Sequence, residues 1–428
     1  MEIRKNQNPV FLNLCEEAKQ ELVDHLIPFW LGMRDEERGG FLGYMSYDLV
    51  PDARAEKGCI LNSRITWFFA NAYTLYRRGE ITEKECLAAG FCGEELRRAA
   101  ECGYAFLKNY CLDRENGGIY WSLNCDGTPS DMTKHTYNQA FCIYALASYY
   151  EAVEDGEALA FAEQLFALIE EKCRDENGYL EAFTRDFWPA SNEKLSENGV
   201  LADRTMNTLL HVFEAYTELY RVIKNLPEKS ALAQKVKTCL CRQLDVFADK
   251  VYNPVLHRQE VFFDAEYRSL LDLHSYGHDI ETAWLVDRGT QVLGDEAYER
   301  KMNPITADLT RNIYETAFDG HSLANECERG VVDETRVWWV QAETVVGFVN
   351  GCEKMPEHTE YLDAAAAQWE FIKRYVIDGR AGSEWYWEVD QSGVPVAGRP
   401  IVEPWKCPYH NGRMCMELIR RRREGLHA

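Results

Sequence analysis

The sequence predicts an all-α fold, an (α/α)6 toroid of six helix pairs with short β-hairpins at one end. Three observations support this prediction: a glycine-aromatic segment recurs along the chain, helical stretches lie between successive segments, and one unpaired helix remains at each end. Repeats of this length cannot bury their apolar faces alone and must stack on their neighbours. The 428 residues are therefore expected to form a single domain, spanning residues 1–428.

The recurring segments read RGGFLGYMSYD, NGGIYWSLNCDG, NGYLEAF, DGHSLANE and AGSEWYWEVDQSG, with glycines at positions 40, 118, 178, 320 and 382. The spacings of these glycines are 78, 60, 142 and 62 residues, and the longest equals two periods of 71. Within that gap, LHRQEVFFDAEYRSL (256–270) alternates like a short hairpin. It predicts the missing sixth segment.

Two helical stretches lie between successive segments, as in TYNQAFCIYALASYYEAV and ALAFAEQLFALIEEKC. Both are apolar at positions i, i+3, i+4 and i+7, which is typical of amphipathic helices. The first helix, at about residues 11–30, and the last, HNGRMCMELIRRR, each lack a partner. Pairing these two closes the ring, whereas an open solenoid would need a polar cap at both ends.

In a closed ring one helix of each pair lines the interior, and we expect the helix after each hairpin to do so. These helices begin with NSRITWFFA, KHTYNQAF, DRTMNTLLH, HSYGHDIETAW, ETRVWWVQAE and CPYHNGRMC. Each beginning mixes ionisable, polar and aromatic residues with apolar neighbours. All six would converge at one end of the central cavity, which predicts the functional site there.

The charge of the chain disfavours two classes of partner. Asp and Glu total 70 against 47 Lys and Arg, and the net charge of −23 repels nucleic acid and anionic membrane surfaces. No apolar run reaches the roughly 18 residues of a membrane span, and the first residues, MEIRKNQNPV, lack the apolar core of a signal peptide. A cytoplasmic protein is expected.

The 15 cysteines are odd in number, and several lie in helical patterns where cysteine behaves as a small apolar residue. We expect them to be reduced thiols. The segment CPYHNGRMC (407–415) contains no CxxC pair and has no second cluster, which disfavours a zinc site.

The stretch LHSYGHDIETAW (273–284) allows a metal site, a proton-transfer site or a buried helix that happens to hold histidine. His274 and His278, at i and i+4, would share a helix face as zinc-binding histidines do. However, the chain has no HExxH motif, and Glu281, three residues after His278, is expected to hydrogen-bond that ring.

Proton transfer suits histidine, whose unperturbed pKa of about 6.5 lets it take or give a proton near neutral pH. His410, from another helix beginning, is expected to face the same cavity from the other side. A base and an acid on opposite faces of a carbon are what inversion by deprotonation and reprotonation requires. For each histidine, a hydrogen-bonded core role is the alternative.

Other candidates surround these histidines. Arg64 could stabilise an oxygen that gains charge during the reaction, or it could form a structural salt bridge. Asn207 and His211, four residues apart, share a helical face that suits sugar hydroxyls. Tyr137 could do the same, although a buried tyrosine with one backbone hydrogen bond is the common case.

Flat indole rings pack on the apolar faces of sugars, and the chain has 11 tryptophans. Those expected on the cavity side are Trp284, Trp338, Trp339, Trp385 and Trp405. At most one of the adjacent pair is expected to point inward, and Trp339 is favoured because Glu343, four residues later, shares its face. Glu281 and Glu343 could instead be the two acids of a glycoside hydrolase, but supporting roles fit their positions better.

At these residues the sequence resembles the N-acylglucosamine 2-epimerase superfamily, most closely its bacterial cellobiose 2-epimerases. The likeness runs over nearly the whole chain and includes GGFLGYMSYDL, SRITWFF and KHTYNQAFCIYALASYY. Its most specific motifs are HSYGHDIETAWL, TRVWWVQAETVVGF and PWKCPYHNGRMCMELI.

The resemblance implies an enzyme, an isomerase that reversibly epimerises C2 of the reducing-end glucose of β-1,4-linked disaccharides. It converts cellobiose to glucosylmannose and lactose to epilactose through a cis-enediolate. By this resemblance the catalytic residues are His278, His410, Arg64 and His211, and the substrate-binding residues are Tyr137, Asn207, Glu281, Trp284, Trp339, Glu343 and Trp405.

The resemblance implies no cofactor and no metal, and the expected partner is a small-molecule disaccharide. We expect a monomer or a weak homodimer. Within the superfamily, an N-acylglucosamine 2-epimerase or a mannose-type aldose–ketose isomerase is the alternative. A non-catalytic sugar-binding toroid is a more remote one.

Overall fold

The computed structural model describes residues 8–195 and 198–424, and helices dominate it. The α-helices in these ranges are α1 (Pro9–Glu21), α2 (Ile27–Gly32), α3 (Cys59–Arg77), α4 (Glu83–Ala88), α5 (Gly93–Phe106), α6 (Thr136–Val153), α7 (Gly156–Lys172), α8 (Met206–Ile223), α9 (Ser230–Val246), α10 (Tyr276–Leu293), α11 (Glu296–Thr316), α12 (Trp338–Lys354), α13 (Glu360–Phe371) and α14 (His410–Glu424). Short π-helical turns, Leu22–Leu26, Leu107–Cys111, Phe247–Val251 and Ile372–Val376, follow α1, α5, α9 and α13.

In the described ranges the helices form a closed ring of six pairs. The inner helices α3, α6, α8, α10, α12 and α14 each pack on the next, and α14 packs on α3. Each inner helix has an outer partner, in the order α5, α7, α9, α11, α13 and α1. The pairing of α1 with α14 joins the two ends of the chain as expected, and the predicted (α/α)6 toroid is confirmed.

Burial distinguishes the two layers. In α6 every residue from Thr136 to Tyr149 is buried, whereas α7 buries one face, on which Leu159, Ala162 and Leu165 are three residues apart. A helix covered on all sides belongs to the interior, and one with a single apolar face belongs to the surface. The helix after each hairpin is therefore the inner one, as the sequence predicts.

Short antiparallel strands lie where the inner helices begin. They are β1 (Lys57–Gly58), β2 (Ser122–Leu123), β3 (Pro129–Asp131), β4 (Lys134–His135), β5 (Ala182–Phe183), β6 (Arg204–Thr205), β7 (Tyr252–Asn253), β8 (Arg258–Gln259), β9 (Phe262–Phe263), β10 (Leu273–Ser275), β11 (Glu326–Glu328), β12 (Val331–Asp333), β13 (Arg336–Val337) and β14 (Glu388–Val389). The strand before an inner helix pairs with a strand of the next unit, in β1–β2, β4–β5, β6–β9, β10–β11 and β13–β14. A bridge between Met45 and Val402 links the first and last units.

The fourth residue of several inner helices ties the helix to its hairpin. Gln139 accepts a hydrogen bond from the backbone N–H of Ile119 at 2.7 Å and donates to its carbonyl at 2.9 Å. Asn62, Asp279 and Gln341 accept equivalent backbone bonds in α3, α10 and α12. These bonds hold the first turns of the helices, and hence their side chains, at fixed positions around the ring.

Within the described residues, the structure contains no helix with the length and apolarity that crossing a membrane requires. All 15 cysteines lie in the described residues and are free thiols, which agrees with the expectation of reduced cysteines.

Candidate active site

A cavity opens at the end of the toroid where the inner helices begin, and together with the open space at its mouth it measures about 900 Å³. A concave site lined by aromatic rings and a few polar groups is typical of small-molecule binding. Nine of the eleven predicted site residues line it: Arg64, Tyr137, Asn207, His211, His278, Glu281, Trp339, Trp405 and His410. The other two, Trp284 and Glu343, lie one layer behind the wall.

His410 is the first residue of α14 and is held by a carboxylate from α12. Its Nδ1 lies 2.7 Å from Oε1 of Glu343, and its ring packs on the rings of Trp338 and Trp339, each with its centroid 5.3 Å away. Burial, and next the positive charge of Arg413, lower the pKa of His410 well below its ordinary value of 6.5. The ring is therefore neutral at neutral pH, with Nε2 as its second nitrogen.

His278 has a hydroxyl partner in place of the carboxylate that the sequence predicts. Its Nδ1 lies 2.7 Å from Oγ of Ser275, the residue before α10. The expected hydrogen bond from Glu281 is wrong, because Oε1 of Glu281 pairs with the guanidinium of Arg413. Burial, together with the charge of nearby His211, lowers the pKa of His278 to about 3, so this ring is also neutral.

The shared helix face expected for His274 and His278 is also wrong. His274 lies in β10, before the helix begins, and its Nε2 is 2.9 Å from Oδ2 of Asp279. In four other units a basic residue two positions before the inner helix pairs with an aspartate, as Arg204 does with Asp175 at 2.6 Å. His274 is thus a structural histidine, while His278 faces the cavity.

His211 has the carboxylate partner that was expected for His278. Its Nδ1 lies 2.9 Å from Oε2 of Glu214, three residues later on α8. The Tyr409 hydroxyl donates to the same oxygen. Burial lowers the pKa of His211, although Glu214 opposes the shift. Among the described residues, His211, His278 and His410 thus each use Nδ1 for a protein contact, which leaves Nε2 for a bound molecule.

Arg64 supplies a positive charge to the cavity. It is buried, its Nη2 donates to the hydroxyl of Tyr137 at 2.8 Å, and its guanidinium lies 4.2 Å from the centroid of the Phe141 ring. The structure gives it no carboxylate partner within the described ranges, which argues against the salt-bridge alternative. Its Nε has no hydrogen-bond partner there. An uncompensated guanidinium of this kind suits an oxygen that gains negative charge.

Two acids lie behind His410. Oε2 of Glu343 accepts a hydrogen bond from the indole N–H of Trp284 at 2.9 Å, and its Oε1 accepts one from Arg413 at 2.7 Å. Burial, and next the negative charge of Glu343, raise the pKa of Glu281 to about 8. Potential metal-ligand atoms of Glu281, Glu343 and His410 lie within 4.8 Å of one another, but Arg413 already bonds both carboxylates and compensates their charge.

The set of tryptophans that line the cavity differs in part from the expected set. Trp338 and Trp339 both line the cavity, although only one was expected to, because the first turn of α12 lies along the cavity wall. Trp385 does not line it: its indole N–H donates to Glu21 at 2.8 Å on the outer layer. Trp387, two residues along the same strand-like segment, takes that place.

Several site residues were missed. Two of them could have been found from the sequence. Ser275 stands just before a helix, where serine is a typical N-cap, and Glu214 follows His211 by three residues, which places both on one helix face. Lys194 and Asn198 also line the cavity but come from the segment between α7 and α8. The sequence pattern carries no signal for that segment, because it has neither helical nor strand periodicity.

Comparisons with known proteins agree with this geometry. The family model of N-acylglucosamine 2-epimerase (GlcNAc 2-epimerase) matches residues 39–411. The chain belongs to this family. It is 48% identical to a cellobiose 2-epimerase of Eubacterium cellulosolvens over 413 residues, which cover 95% of this chain and 98% of the relative. The prediction of a carbohydrate epimerase, an isomerase, is thereby confirmed.

Two solved structures share the toroid. A sugar epimerase from a ruminal bacterium is 47% identical, with a TM-score of 0.88 and coverage of 95% of this chain and 98% of the other. The cellobiose 2-epimerase of Bacillus thermoamylovorans is 41% identical, with a TM-score of 0.87 and coverage of 96% and 100%.

Proposed function

We propose that the chain is a cellobiose 2-epimerase, which reversibly inverts C2 of the reducing-end glucose of β-1,4-linked disaccharides. Its reactions would be cellobiose to glucosylmannose and lactose to epilactose. The observation that carries this proposal is the pair His278 and His410, whose rings both contact Trp339, with centroids at 4.8 and 5.3 Å, and both line one cavity. The names of the relatives support the choice of disaccharide.

In the first step the opened sugar loses its C2 proton to Nε2 of His278. Burial lowers the pKa of His278 to about 3, so the ring is neutral and Nε2 holds the lone pair that takes this proton. The hydroxyl of Ser275 accepts from Nδ1–H while Nε2 carries the lone pair. The electrons of the C2–H bond form the C1–C2 double bond of a cis-enediolate, and Arg64 compensates the charge on its oxygens.

In the second step the intermediate rotates about C2–C3 and presents its other face. His410, after taking a proton from solvent on Nε2, donates it to C2: the electrons of the C1–C2 double bond form the new C2–H bond, and the electrons on O1 re-form the C1 carbonyl. His278 then releases to solvent the proton that it removed. Since the pKa of His410 is low, its protonated ring is a strong acid that gives up this proton readily. Each acid–base step contributes about 10²- to 10⁴-fold to the rate. Reversal exchanges the two roles.

The remaining residues bind the sugar. Asn207 and His211 lie on one face of α8, and Oδ1 of Asn207 has no partner among the described residues, so both suit hydroxyl groups. The rings of Trp387 and Trp405 offer apolar faces for the pyranose rings. Glu343 and Trp284 act from behind the wall by orienting His410.

The test is incubation of the protein with cellobiose in D2O, followed by chromatography and NMR of the product. We expect glucosylmannose with deuterium at C2, because the proton returned by His410 comes from an exchangeable site. Parallel incubations contain lactose, N-acetylglucosamine and mannose. Product from N-acetylglucosamine or mannose alone would support the alternatives within the family, and released monosaccharide would indicate a hydrolase.

Variants separate catalysis from binding. His278→Asn and His410→Asn should lose turnover while calorimetry still detects cellobiose binding. His25→Asn is the matched control, because Nδ1 of His25 also lies 2.7 Å from a glutamate, Glu21, but on the outer layer. Unchanged turnover in both site variants would refute the assignment. Binding by the native protein without any turnover would support a non-catalytic sugar-binding toroid.

We also infer a single-domain protein that is cytoplasmic and a monomer or a weak homodimer. The closed ring and the net charge of −23 support this inference. Light scattering over a range of concentrations tests the oligomeric state, and fractionation of cells tests the location.

A further inference from the structure

Arg413 lies one turn after His410 on α14 and does not line the cavity. Its side chain is 1% exposed. Nη1 donates to Oε1 of Glu214 at 2.5 Å, and Nη2 donates to Oε1 of Glu343 at 2.7 Å and to Glu281. One guanidinium therefore joins carboxylates from three inner helices, α8, α10 and α12.

Two of these carboxylates hold cavity histidines. Glu214 bonds Nδ1 of His211 at 2.9 Å, and Glu343 bonds Nδ1 of His410 at 2.7 Å. Each histidine is thus linked to Arg413 by hydrogen bonds through one carboxylate. The planar guanidinium presents several N–H donors in a fixed fork, so Nη1 and Nη2 set the directions of both carboxylates together.

The aromatic rings around Arg413 limit its movement. Its guanidinium lies 4.2 Å from the centroid of the Tyr409 ring and 4.9 Å from that of the Trp284 ring. The hydroxyl of Tyr409 also bonds both Arg413 and Glu214. The arginine is therefore packed as well as hydrogen-bonded.

The charges of the cluster depend on this arginine. Burial alone would raise the pKa of Glu214, but Arg413 and His211 hold it well below its ordinary range. Burial raises the pKa of Glu343, and Arg413 opposes this shift. Without the guanidinium, buried carboxylates would take up protons and would no longer accept a hydrogen bond from Nδ1–H.

We propose that Arg413 is a positioning residue that aligns Glu214 and Glu343 and thereby sets the protonation form of His211 and His410 jointly. Both rings then carry hydrogen on Nδ1 and present Nε2 to the cavity. This inference rests on the proposed function, since it assigns the arginine a part in the same reaction. It predicts that two histidines on different helices respond to a single substitution elsewhere.

Arg413→Lys and Arg413→Gln test the proposal. A lysine keeps the charge, but its single ammonium group cannot replace two arms that point to Glu214 and Glu343. We expect kcat on cellobiose to fall about 10- to 100-fold, since small displacements of catalytic groups cost this much. KM should change less than about threefold, because Arg413 does not line the cavity, and the pH profile of kcat should shift.

The matched control is Arg336→Lys. Arg336 is also 1% exposed and bonds an aspartate, Asp319, at 2.9 Å, but it belongs to a hairpin. This variant should keep the native kcat and pH profile. If Arg413→Lys also keeps both, the proposal is overturned.

Two further measurements extend the test: the first does not depend on turnover, and the second does not depend on the Arg413 variants folding. In ¹⁵N-histidine spectra, signals of His211 and His410, assigned with Asn variants, should change in Arg413→Lys and stay unchanged in Arg336→Lys. Failure of the native protein to turn over cellobiose would refute the proposed function, while the spectra would still decide the role of Arg413. If neither Arg413→Lys nor Arg413→Gln folds, the double variant that combines Glu214→Gln and Glu343→Gln is compared with the two single variants. The proposal requires their effects on kcat/KM, or on the spectra if cellobiose is not turned over, to be non-additive. Additive effects would overturn it.

Discussion

Ser275→Ala removes the hydroxyl that contacts Nδ1 of His278, and it isolates one hydrogen bond of the site. Ser275 is 5% exposed, and its side chain makes no capping bond to the backbone of α10. The substitution therefore leaves the helix end intact. Its main effect should be on the orientation and tautomer of His278.

The magnitude follows from the buried polar atom that remains. An unsatisfied donor or acceptor costs about 1–3 kcal/mol. If this cost is expressed in the transition state, kcat/KM on cellobiose falls about 5- to 150-fold, since 1.4 kcal/mol is a factor of ten. Ser275→Thr keeps the hydroxyl and should retain more activity than the alanine variant.

The assay is kcat/KM on cellobiose for Ser275→Ala, with Ser148→Ala as the control. Ser148 is a buried serine on α6 whose hydroxyl has no partner among the described residues, so its removal should leave kcat/KM unchanged. A kcat/KM for Ser275→Ala within about twofold of the native value would refute the argument that this hydroxyl prepares His278.

Three other changes test the surroundings of the site. Trp284→Phe removes the donor to Glu343 and should lower kcat about tenfold with little change in KM; unchanged kcat would contradict the role of this bond. Gly277→Ala should also lower kcat, because its Cβ would lie 2.6 Å from the ring of Trp339; native kinetics would mean that the ring can move without consequence. The pKa of Glu281 is raised from 4.5 to about 8, so the folded protein binds this proton more tightly than the unfolded chain, and its contribution to stability declines as pH rises through that window. In urea unfolding, the stability of Glu281→Gln relative to the native protein should therefore increase from about pH 5 to about pH 8, and a flat difference would contradict the raised pKa.

Much of the fold was predictable because local sequence patterns reveal the repeat. Period and amphipathicity determine which helices exist, and the unpaired helices at the two ends determine that the ring closes. The same patterns identified the inner helices, because each follows a hairpin and begins with ionisable, polar and aromatic residues, as the helix of Tyr137 does. Most cavity residues followed from that assignment, since the first turns of the inner helices must converge.

The partners of those residues were less predictable. His211 and Glu214 are three residues apart and form the expected hydrogen bond. His278 and Glu281 have the same spacing and do not, because Arg413 attracts Glu281 from across the ring. Spacing along a helix defines which groups can meet, but a buried carboxylate pairs with the group that forms the stronger hydrogen bond. A charged guanidinium forms a stronger hydrogen bond to a carboxylate than a neutral imidazole does.

The sequence by itself therefore determined the repeat, the toroid and the histidines that face the cavity, because these depend on interactions between neighbours along the chain. Only the tertiary structure decided how the histidines are held. Glu343 and His410 are 67 residues apart and meet because the ring closes. Charged groups that are buried close together compete for the same hydrogen-bond partners, and which pairs form depends on the positions of all the helices.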